Sequence, residues 1–119
     1  MILKFELPQE AVVSISLTEG ERIYYSVPFD ISEDGGWLQD SYFVVTNRRL
    51  FVIRQKKVET VYDIADCAHV KAEAKIGGGL LVMEYKGVTQ YVVHYSAKHL
   101  SRYAYVARGI NILASGRGE

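Results

Sequence analysis

Two groups of residues have the types and spacing that could bind a metal ion. Cys67 and His69 lie two apart on a predicted strand, where their side chains would share a face and form half of a zinc site. The loop that starts at Asp30 places oxygen ligands at its first, third and fifth positions and Gly35 at its sixth, as a calcium loop does. The twelfth position of this loop is Ser41, where a calcium loop needs Glu. The possible zinc site is incomplete as well, because no second Cys or His pair has ligand spacing. We therefore predict that the chain holds no metal ion.

Catalysis by a nucleophile or on a bound phosphate has equally little support in the sequence. A Cys67 nucleophile would need His69 within hydrogen-bond reach and a third group to orient the imidazole, and no such group is evident. The glycines at 77–79 precede no Lys-Ser or Lys-Thr and lie between two predicted strands, unlike a phosphate-binding loop. No pair of carboxylates is placed for general acid and base catalysis. The sequence predicts a non-enzymatic domain without a cofactor, in which Cys67 is a buried thiol.

The charge balance argues against nucleic acid as a partner. The 14 basic and 14 acidic residues give a formal net charge of zero, so no overall field attracts a polyanion. A local basic cluster, Arg54, Lys56 and Lys57, could touch an anionic membrane at about 1 kcal/mol per residue. The alternative, which we favour, is that the cluster is a solvated turn.

The remaining composition predicts a cytoplasmic chain. A single cysteine excludes an internal disulfide and fits a reducing compartment. No apolar run approaches the roughly 20 residues needed to cross a bilayer. The first ten residues are too short and too acidic to form a secretory signal.

The aromatic residues indicate a contact surface. Nine tyrosines are more than a small core needs, and nucleic-acid stacking would require a positive groove. Trp37 and the second helix face, with Tyr105 and Ile112, would suit a protein–protein interface. The alternative is that these residues only line strands.

Short β-rich segments separated by glycines and turn residues dominate the chain up to Tyr95. Their spacing is typical of all-β barrels and sandwiches. Predicted strands cover residues 2–7, 21–29, 37–46, 48–55, 58–64, 67–75, 80–86 and 88–95, and residues 11–17 form a strand or a helical turn. In 68–75, Ala68, Val70, Ala72 and Ala74 alternate with polar residues, which predicts that these four face the core.

The period changes from two to that of a helix after Tyr95. Ser96 is a predicted N-cap, apolar residues then recur at helical spacing, and Gly116 ends the segment. We predict one mainly β domain over residues 1–116, a barrel or roll of about seven antiparallel strands capped by one C-terminal α-helix. Residues 117–119 would begin a linker. A strongly bent sheet needs such a helix to cover its apolar interior.

The stretch Thr46, Asn47, Arg48 and Arg49 joins two apolar strands in a predicted hairpin. Asn tolerates a left-handed backbone, so Asn47 is the expected pivot. Arg48 and Arg49 would open the next strand and point to opposite faces, one of them reaching carboxylates or carbonyls at the barrel edge. Because two arginines that bind an anion should converge, we predict a structural role for this motif.

The run of residues 45–50, following Gly36-Trp37 and preceding further strands and a terminal helix, resembles bacterial pleckstrin-homology-like (PH-like) domains over roughly residues 17–113. A closer likeness is to the N-terminal domain of some bacterial ABC exporters. That likeness is carried, in order, by the acidic loop at 30–36, the Val-Val-Thr-x-Arg-Arg-Leu hairpin at 44–50, the Ile-Gly-Gly-Gly turn at 76–79 and the Tyr-Ser at 95–96.

The resemblance implies a non-catalytic interaction or regulatory module at the inner face of the plasma membrane. It would bind the rest of the same polypeptide or a partner protein, or self-associate by strand addition at a sheet edge. The family's phosphoinositide binding is not expected here, because Asp30, Glu33 and Asp34 make the relevant loop acidic. Two alternatives stay open: weak binding to an anionic membrane surface through the basic cluster, and a small-ligand pocket between helix and sheet.

Overall fold

The computed structural model describes residues 4–7, 9 and 15–116, and within them seven strands form two antiparallel sheets. The first sheet has the order β1 (Ile23–Pro28), β2 (Tyr42–Thr46), β3 (Arg49–Arg54) and β4 (Lys57–Asp63). The second has the order β5 (Cys67–Lys75), β6 (Gly78–Tyr85) and β7 (Val88–Ser96). Short 3-10 turns, Ile64–Asp66 and Ala97–His99, precede β5 and the helix α1 (Leu100–Ala114). The predictions for 2–3, 11–14 and 117–119 fall outside the described residues. The rest of the first two predicted elements is wrong: Lys4 makes only an isolated bridge to Ser26, and residues 5–7 and 15–17 form neither strand nor helix.

The β2–β3 hairpin is apolar on both faces because both faces are covered. Phe43 and Leu50 point into the main core, which fills the space between the sheets. Val44 and Phe51 point the other way and form a second cluster with Ile15. This two-sided burial explains the continuous apolar runs of the two strands.

Strand β5 has the predicted bounds, but a bulge interrupts the predicted alternation. Its pairing with β6 shifts between Ala68 and Lys71, and His69 has a φ of 53°. The extra residue reverses the faces, so that Cys67 and Val70 are buried while Ala68 and His69 are exposed. The predictions that Ala68 faces the core and that Cys67 shares a face with His69 are therefore wrong.

Helix α1 begins after a 3-10 turn and is not capped by Ser96. The Ser96 side chain makes no cap hydrogen bond, and its hydroxyl donates to a carboxylate oxygen of Asp30 at 2.6 Å. The predicted N-cap is wrong because a charged acceptor forms the stronger hydrogen bond. The predicted helix end is confirmed: Gly116 has a φ of 80°, and its N–H donates to the Leu113 carbonyl at 3.0 Å.

One residue of α1, Tyr103, contacts both sheets. Its hydroxyl donates to the carbonyls of Val27 (3.2 Å) and Pro28 (3.1 Å) in β1. Its ring stacks on that of Tyr95 in β7, with 4.0 Å between centroids and 4° between planes. The helix therefore joins the two sheets at its first turn, as expected of a cover for the open end of a bent sheet.

Close packing between α1 and β1 depends on Gly109. A Cβ at this position would collide with the phenol ring of Tyr25. Val106, Ile110 and Leu113 are buried along the same side of the helix and complete the core. The predicted class, a mainly β fold closed by one C-terminal helix, is confirmed.

Candidate functional site

Arg49 and the buried Glu21 form an ion pair at the Thr46–Arg49 turn. The guanidinium donates to the Glu21 carboxylate through Nη2 (2.6 Å) and Nε (3.0 Å), and to the Ser16 carbonyl at 2.8 Å. The hydroxyl of Thr46 donates to Glu21 at 2.6 Å, and the N–H of Thr18 donates at 2.9 Å. The Glu21 side chain is 0% exposed, so every bond replaces one to water.

These bonds hold Glu21 in its ionised form. Hydrogen bonding to Arg49 lowers the pKa of Glu21 from 4.5 to about 2, although burial alone would raise it. The same contact raises the pKa of Arg49. A carboxylate so fully bonded inside the molecule has no free lone pair to offer a ligand.

Arg48 and Asn47 bind the same preceding segment. Arg48 donates to the Thr18 hydroxyl at 2.9 Å. The Asn47 amide accepts from the Arg22 N–H at 2.8 Å and donates to the Gly20 carbonyl at 3.1 Å. Because β3 begins one residue later, Arg48 lies in the turn, and the prediction that both arginines open the strand on opposite faces is wrong.

A second polar cluster lies where β7 meets the loop after β1. Asp30 accepts hydrogen bonds from the Ser96 N–H (2.8 Å) and hydroxyl (2.6 Å). Gly78 pairs with Ser96, and a Cβ on Gly79 would collide with the Tyr95 ring. Three of the four stretches that carry the family likeness therefore meet in one place and fix the loop to the sheet.

The same cluster contains a serine, a histidine and an aspartate without the geometry of a catalytic triad. The buried His99 has its Nε2 3.7 Å from Asp30, and its Nδ1 accepts from Arg102 at 3.0 Å. Since Arg only donates, a neutral His99 carries its proton on Nε2 and has no lone pair for Ser96. Burial lowers the pKa of His99, which favours this neutral form. Sequence reasoning missed the group because Asp30 and Ser96 are 66 positions apart.

Cys67 has the environment of a structural thiol. Burial, followed by the charges of Asp66 and Asp63, raises the pKa of Cys67 to about 12. A thiol with that pKa stays protonated at neutral pH and is a poor nucleophile and metal ligand. Among the described residues no group of three or more His, Cys, Asp or Glu side chains is arranged to hold a metal ion.

The predicted basic cluster is interleaved with carboxylates. Arg54 contacts Glu59 at 2.9 Å and Glu33 at 3.5 Å, and its guanidinium stacks over the Phe29 ring. Lys56 lies 3.9 Å from Asp40, while Lys57 is exposed on β4. The local charge is therefore close to neutral, which does not favour an anionic membrane. Among the described residues, no helix combines the length and hydropathy required to cross a lipid bilayer.

The three predicted interface residues lie on different elements. Trp37 is 76% exposed and forms an isolated bridge with Ile31 instead of opening β2. Ile112 is exposed on α1, and Tyr105 is half-buried with its ring edge-on to Tyr25 at 5.8 Å. Tyr105 is thus engaged within its own domain, and Trp37 is the most exposed of the three.

Strand pairing places Trp37 at the end of a row of side chains on the outside of the second sheet. Glu73 pairs with Leu80, Leu80 with His94, His94 with Ile31, and Ile31 with Trp37. Directly paired residues point to the same side of a sheet, so these five side chains share one face. We call this side of β5–β7, together with Trp37, the outer face.

Two open grooves run along the outer face on either side of Tyr91, which is 65% exposed. One, of about 600 Å³, has Val82 on its floor and is lined by His69, Lys71, Glu73 and Thr89. The other, of about 530 Å³, has Leu80 on its floor and is lined by Glu33, Lys75, Gln90 and His94. Leu80 and Val82 are only 1% and 6% exposed, so the apolar surface available at these grooves is mainly that of Tyr91.

No family model and no curated protein matches the sequence. Among solved structures, the fold is similar to a PH-domain-containing bacterial protein from Exiguobacterium sibiricum 255-15, with a TM-score of 0.54 at 19% sequence identity. The match covers 82% of this chain and 51% of that chain, so the chain spans about half the length of that protein. The protein therefore has a PH-like fold, and likeness at this identity concerns the fold alone.

Proposed function

We propose that this chain is a non-catalytic PH-like module that binds another polypeptide on its outer face. The observation that carries the proposal is the exposure of two large aromatic side chains, Trp37 (76%) and Tyr91 (65%), the second of which lies between the two grooves. Exposed Trp and Tyr are the residues that most often dominate binding energy at protein interfaces.

The polar groups around the grooves fit a protein partner better than a small ligand. Lys71 and Glu73 form a surface pair at 3.3 Å, and Lys75 and Glu33 line the second groove with opposite charges. Polar groups of both charges around exposed aromatic side chains are the usual composition of a protein–protein interface. Between α1 and the sheets, by contrast, the space is filled by side chains such as Tyr103 and Ile110, which are 0% exposed. A ligand pocket there has no support from the packing.

The partner and location are inferred from the sequence likeness. We infer that the chain is the N-terminal cytoplasmic domain of a bacterial ABC transporter, located at the inner face of the plasma membrane. Its outer face would then contact the transporter's own nucleotide-binding domain or a protein that regulates it. The order of the four similar stretches supports this context, as does the structural role that three of them share around Asp30 and Ser96.

Two experiments, the second following from the first, test the proposal. Reading the gene beyond Glu119 should reveal a membrane-spanning region followed by a phosphate-binding loop, and a stop codon there would remove the transporter context. In the full-length protein, a photo-crosslinking amino acid at Trp37 or Tyr91 should then form covalent links to the nucleotide-binding domain.

A crosslinker at Ile112 provides the matched control, since this residue is also exposed but lies on α1. Links from Ile112 alone would assign binding to the helix and contradict the proposal. Crosslinking to lipid from Trp37 would instead support a membrane-surface role.

A further inference from the structure

Strand β4 presents a sheet edge that no other described strand pairs with. It is the last strand of the first sheet, and its backbone pairs with β3. Among the described residues, only its last is bonded from that side of the chain, since the Asp63 N–H donates to the Tyr85 hydroxyl (3.1 Å) and the Asp63 carbonyl accepts from the Cys67 thiol (3.5 Å).

The other edges of the two sheets are bonded within their length and not only at the last residue. Lys4 bridges to β1, Ile31 bridges to β7, and the Asn111 side chain on α1 bonds to both the N–H (3.0 Å) and the carbonyl (2.8 Å) of Val70 in β5. An uncovered edge is a template for pairing with another chain.

The exposure of β4 alternates strictly along its seven residues. Lys57, Glu59, Val61 and Asp63 are exposed, whereas Val58, Thr60 and Tyr62 are half-buried. If two copies of this strand pair antiparallel around a two-fold axis, exposed residues must oppose exposed residues to keep both sheet faces matched. This condition allows only a few registers, each centred on one residue.

Charge distinguishes between the three registers closest to the middle of the strand. Centring on Glu59 would place the two Glu59 carboxylates opposite each other, and centring on Val61 would place Glu59 opposite Asp63 twice. Centring on Thr60 instead places Lys57 opposite the partner's Asp63 twice, and Val58 opposite Tyr62. Opposite charges facing across strands stabilise a sheet and like charges destabilise it, so β4 is complementary to itself in this register alone of the three.

Within one chain, the residue opposite Lys57 on the neighbouring strand β3 carries a charge of the same sign. Lys57 pairs across the sheet with Arg54, a like charge, while Glu59 is already bound by that arginine. The Asp63 carboxylate of a second copy would therefore place a negative charge opposite Lys57, which no strand of its own sheet does.

We propose that two copies of this chain associate through β4, with Thr60 opposite Thr60, so that the two four-stranded sheets become one continuous sheet. The occupant of this edge is a second copy and not an unrelated strand, because of the complementarity of Lys57 and Asp63. The inference does not depend on the outer face, which belongs to the other sheet.

Sedimentation equilibrium at concentrations up to about 1 mM tests this, since small interfaces give weak dimers. The wild type should approach twice the monomer mass. Lys57→Asp places two carboxylates opposite each other, Asp63→Lys places two ammonium groups opposite each other, and each should weaken dimerisation at least about tenfold.

The decisive measurement is sedimentation equilibrium of an equimolar mixture of Lys57→Asp and Asp63→Lys. In a mixed pair, both charge contacts become attractive again, so an equimolar mixture should dimerise although neither variant does alone. Lys98→Asp, an equal charge change at an exposed position outside β4, should dimerise as the wild type does. Circular dichroism confirms that each variant is folded.

A wild type that remains monomeric at the highest concentration, or a mixture that remains monomeric while its components are folded, would overturn the proposal. Replacing both Trp37 and Tyr91 by Ala should leave dimerisation unchanged, which separates this test from that of the proposed function.

Discussion

The Thr46–Arg49 turn and the outer face both combine charged and bulky residues, but they use them in opposite ways. At the turn, Arg49 bonds to Glu21 and Ser16 of the same chain, and the Glu21 side chain is fully buried. On the outer face, Trp37 and Tyr91 are mostly exposed and the Lys71–Glu73 pair lies at the surface. Charged groups that bond to each other within the domain stabilise the fold. Aromatic side chains that remain exposed to solvent can instead bury their apolar surface against a partner.

The two regions should therefore respond differently to substitution. Changes at the turn should reduce the free energy of unfolding and affect binding only through loss of folded protein. Changes on the outer face should leave that free energy almost unaltered and act on binding directly.

The largest effect is expected from Glu21→Gln. The substitution keeps the shape of the side chain but leaves Arg49 without its counter-ion, so the free energy of unfolding should fall by about 3 kcal/mol. Denaturation in urea measures this free energy of unfolding. Glu19→Gln is the matched control, since Glu19 is exposed two residues away, and it should change stability by no more than about 0.5 kcal/mol. Equal effects of the two would show that the ion pair does not stabilise the fold.

A pH titration sharpens the same contrast. The folded pKa of Glu21 is about 2 and its ordinary value is 4.5, so its contribution is complete above pH 4.5 and is lost as pH falls towards 2. By linkage this amounts to about 3 kcal/mol. The stability of Glu21→Gln should decline less steeply over this interval than that of the wild type. Parallel pH profiles would contradict the assignment.

An intermediate effect is expected from the stacked tyrosines of the core. Tyr103→Phe removes the donor to the Val27 and Pro28 carbonyls and should cost about 1–2 kcal/mol. The buried Tyr95 hydroxyl has no hydrogen-bond partner among the described residues, so Tyr95→Phe should be neutral or slightly stabilising. Thermal unfolding of the two variants compares them directly, and a reversed order would contradict these contacts.

The smallest change in stability is expected on the outer face. Trp37→Ala and Tyr91→Ala remove mostly exposed side chains and should each alter the free energy of unfolding by at most about 0.5 kcal/mol. A loss of several kcal/mol from either would show that these aromatics belong to the fold and not to an interface.

The parts of the fold that are local in sequence could be predicted. The β-rich runs between glycines and turn residues predicted the seven strands to within two residues at each end, except that β2 begins at Tyr42 and not at Trp37. The helical period with Gly116 predicted α1.

The turn at Asn47 could be predicted from the two apolar runs that flank it. Its expected left-handed backbone is wrong, because Asn47 has no positive φ and its side chain bonds instead to the Arg22 N–H and the Gly20 carbonyl.

The non-local parts could not be predicted. One of Arg48 and Arg49 was expected to reach a carboxylate or a carbonyl, but nothing in the sequence identified Arg49 as that residue or Glu21, 28 positions away, as its partner. Ser96 was assigned to a helix cap because Asp30 is remote in sequence and adjacent only in the fold. The bulge at His69 was invisible because the alternation of 68–75 continues through it.

The outer face also depends on long-range pairing. Trp37 was noted as an interface residue from its type alone, whereas its place beside Ile31 and His94 requires the bridge between a loop and β7. Tyr91 was not assigned to the interface, since alternation does not show which strands leave a groove between them.

Binding of the proposed partner, a separately purified nucleotide-binding domain encoded downstream in the same gene, measured by calorimetry, tests the role of the outer face most directly. The variant with both Trp37→Ala and Tyr91→Ala should bind at least about tenfold more weakly than the wild type, because interface aromatics of this kind dominate affinity. Glu21→Gln, measured where it remains folded, should bind as the wild type does. Unchanged affinity of the double variant, with the wild type bound, would contradict the claim that this surface recognises the partner.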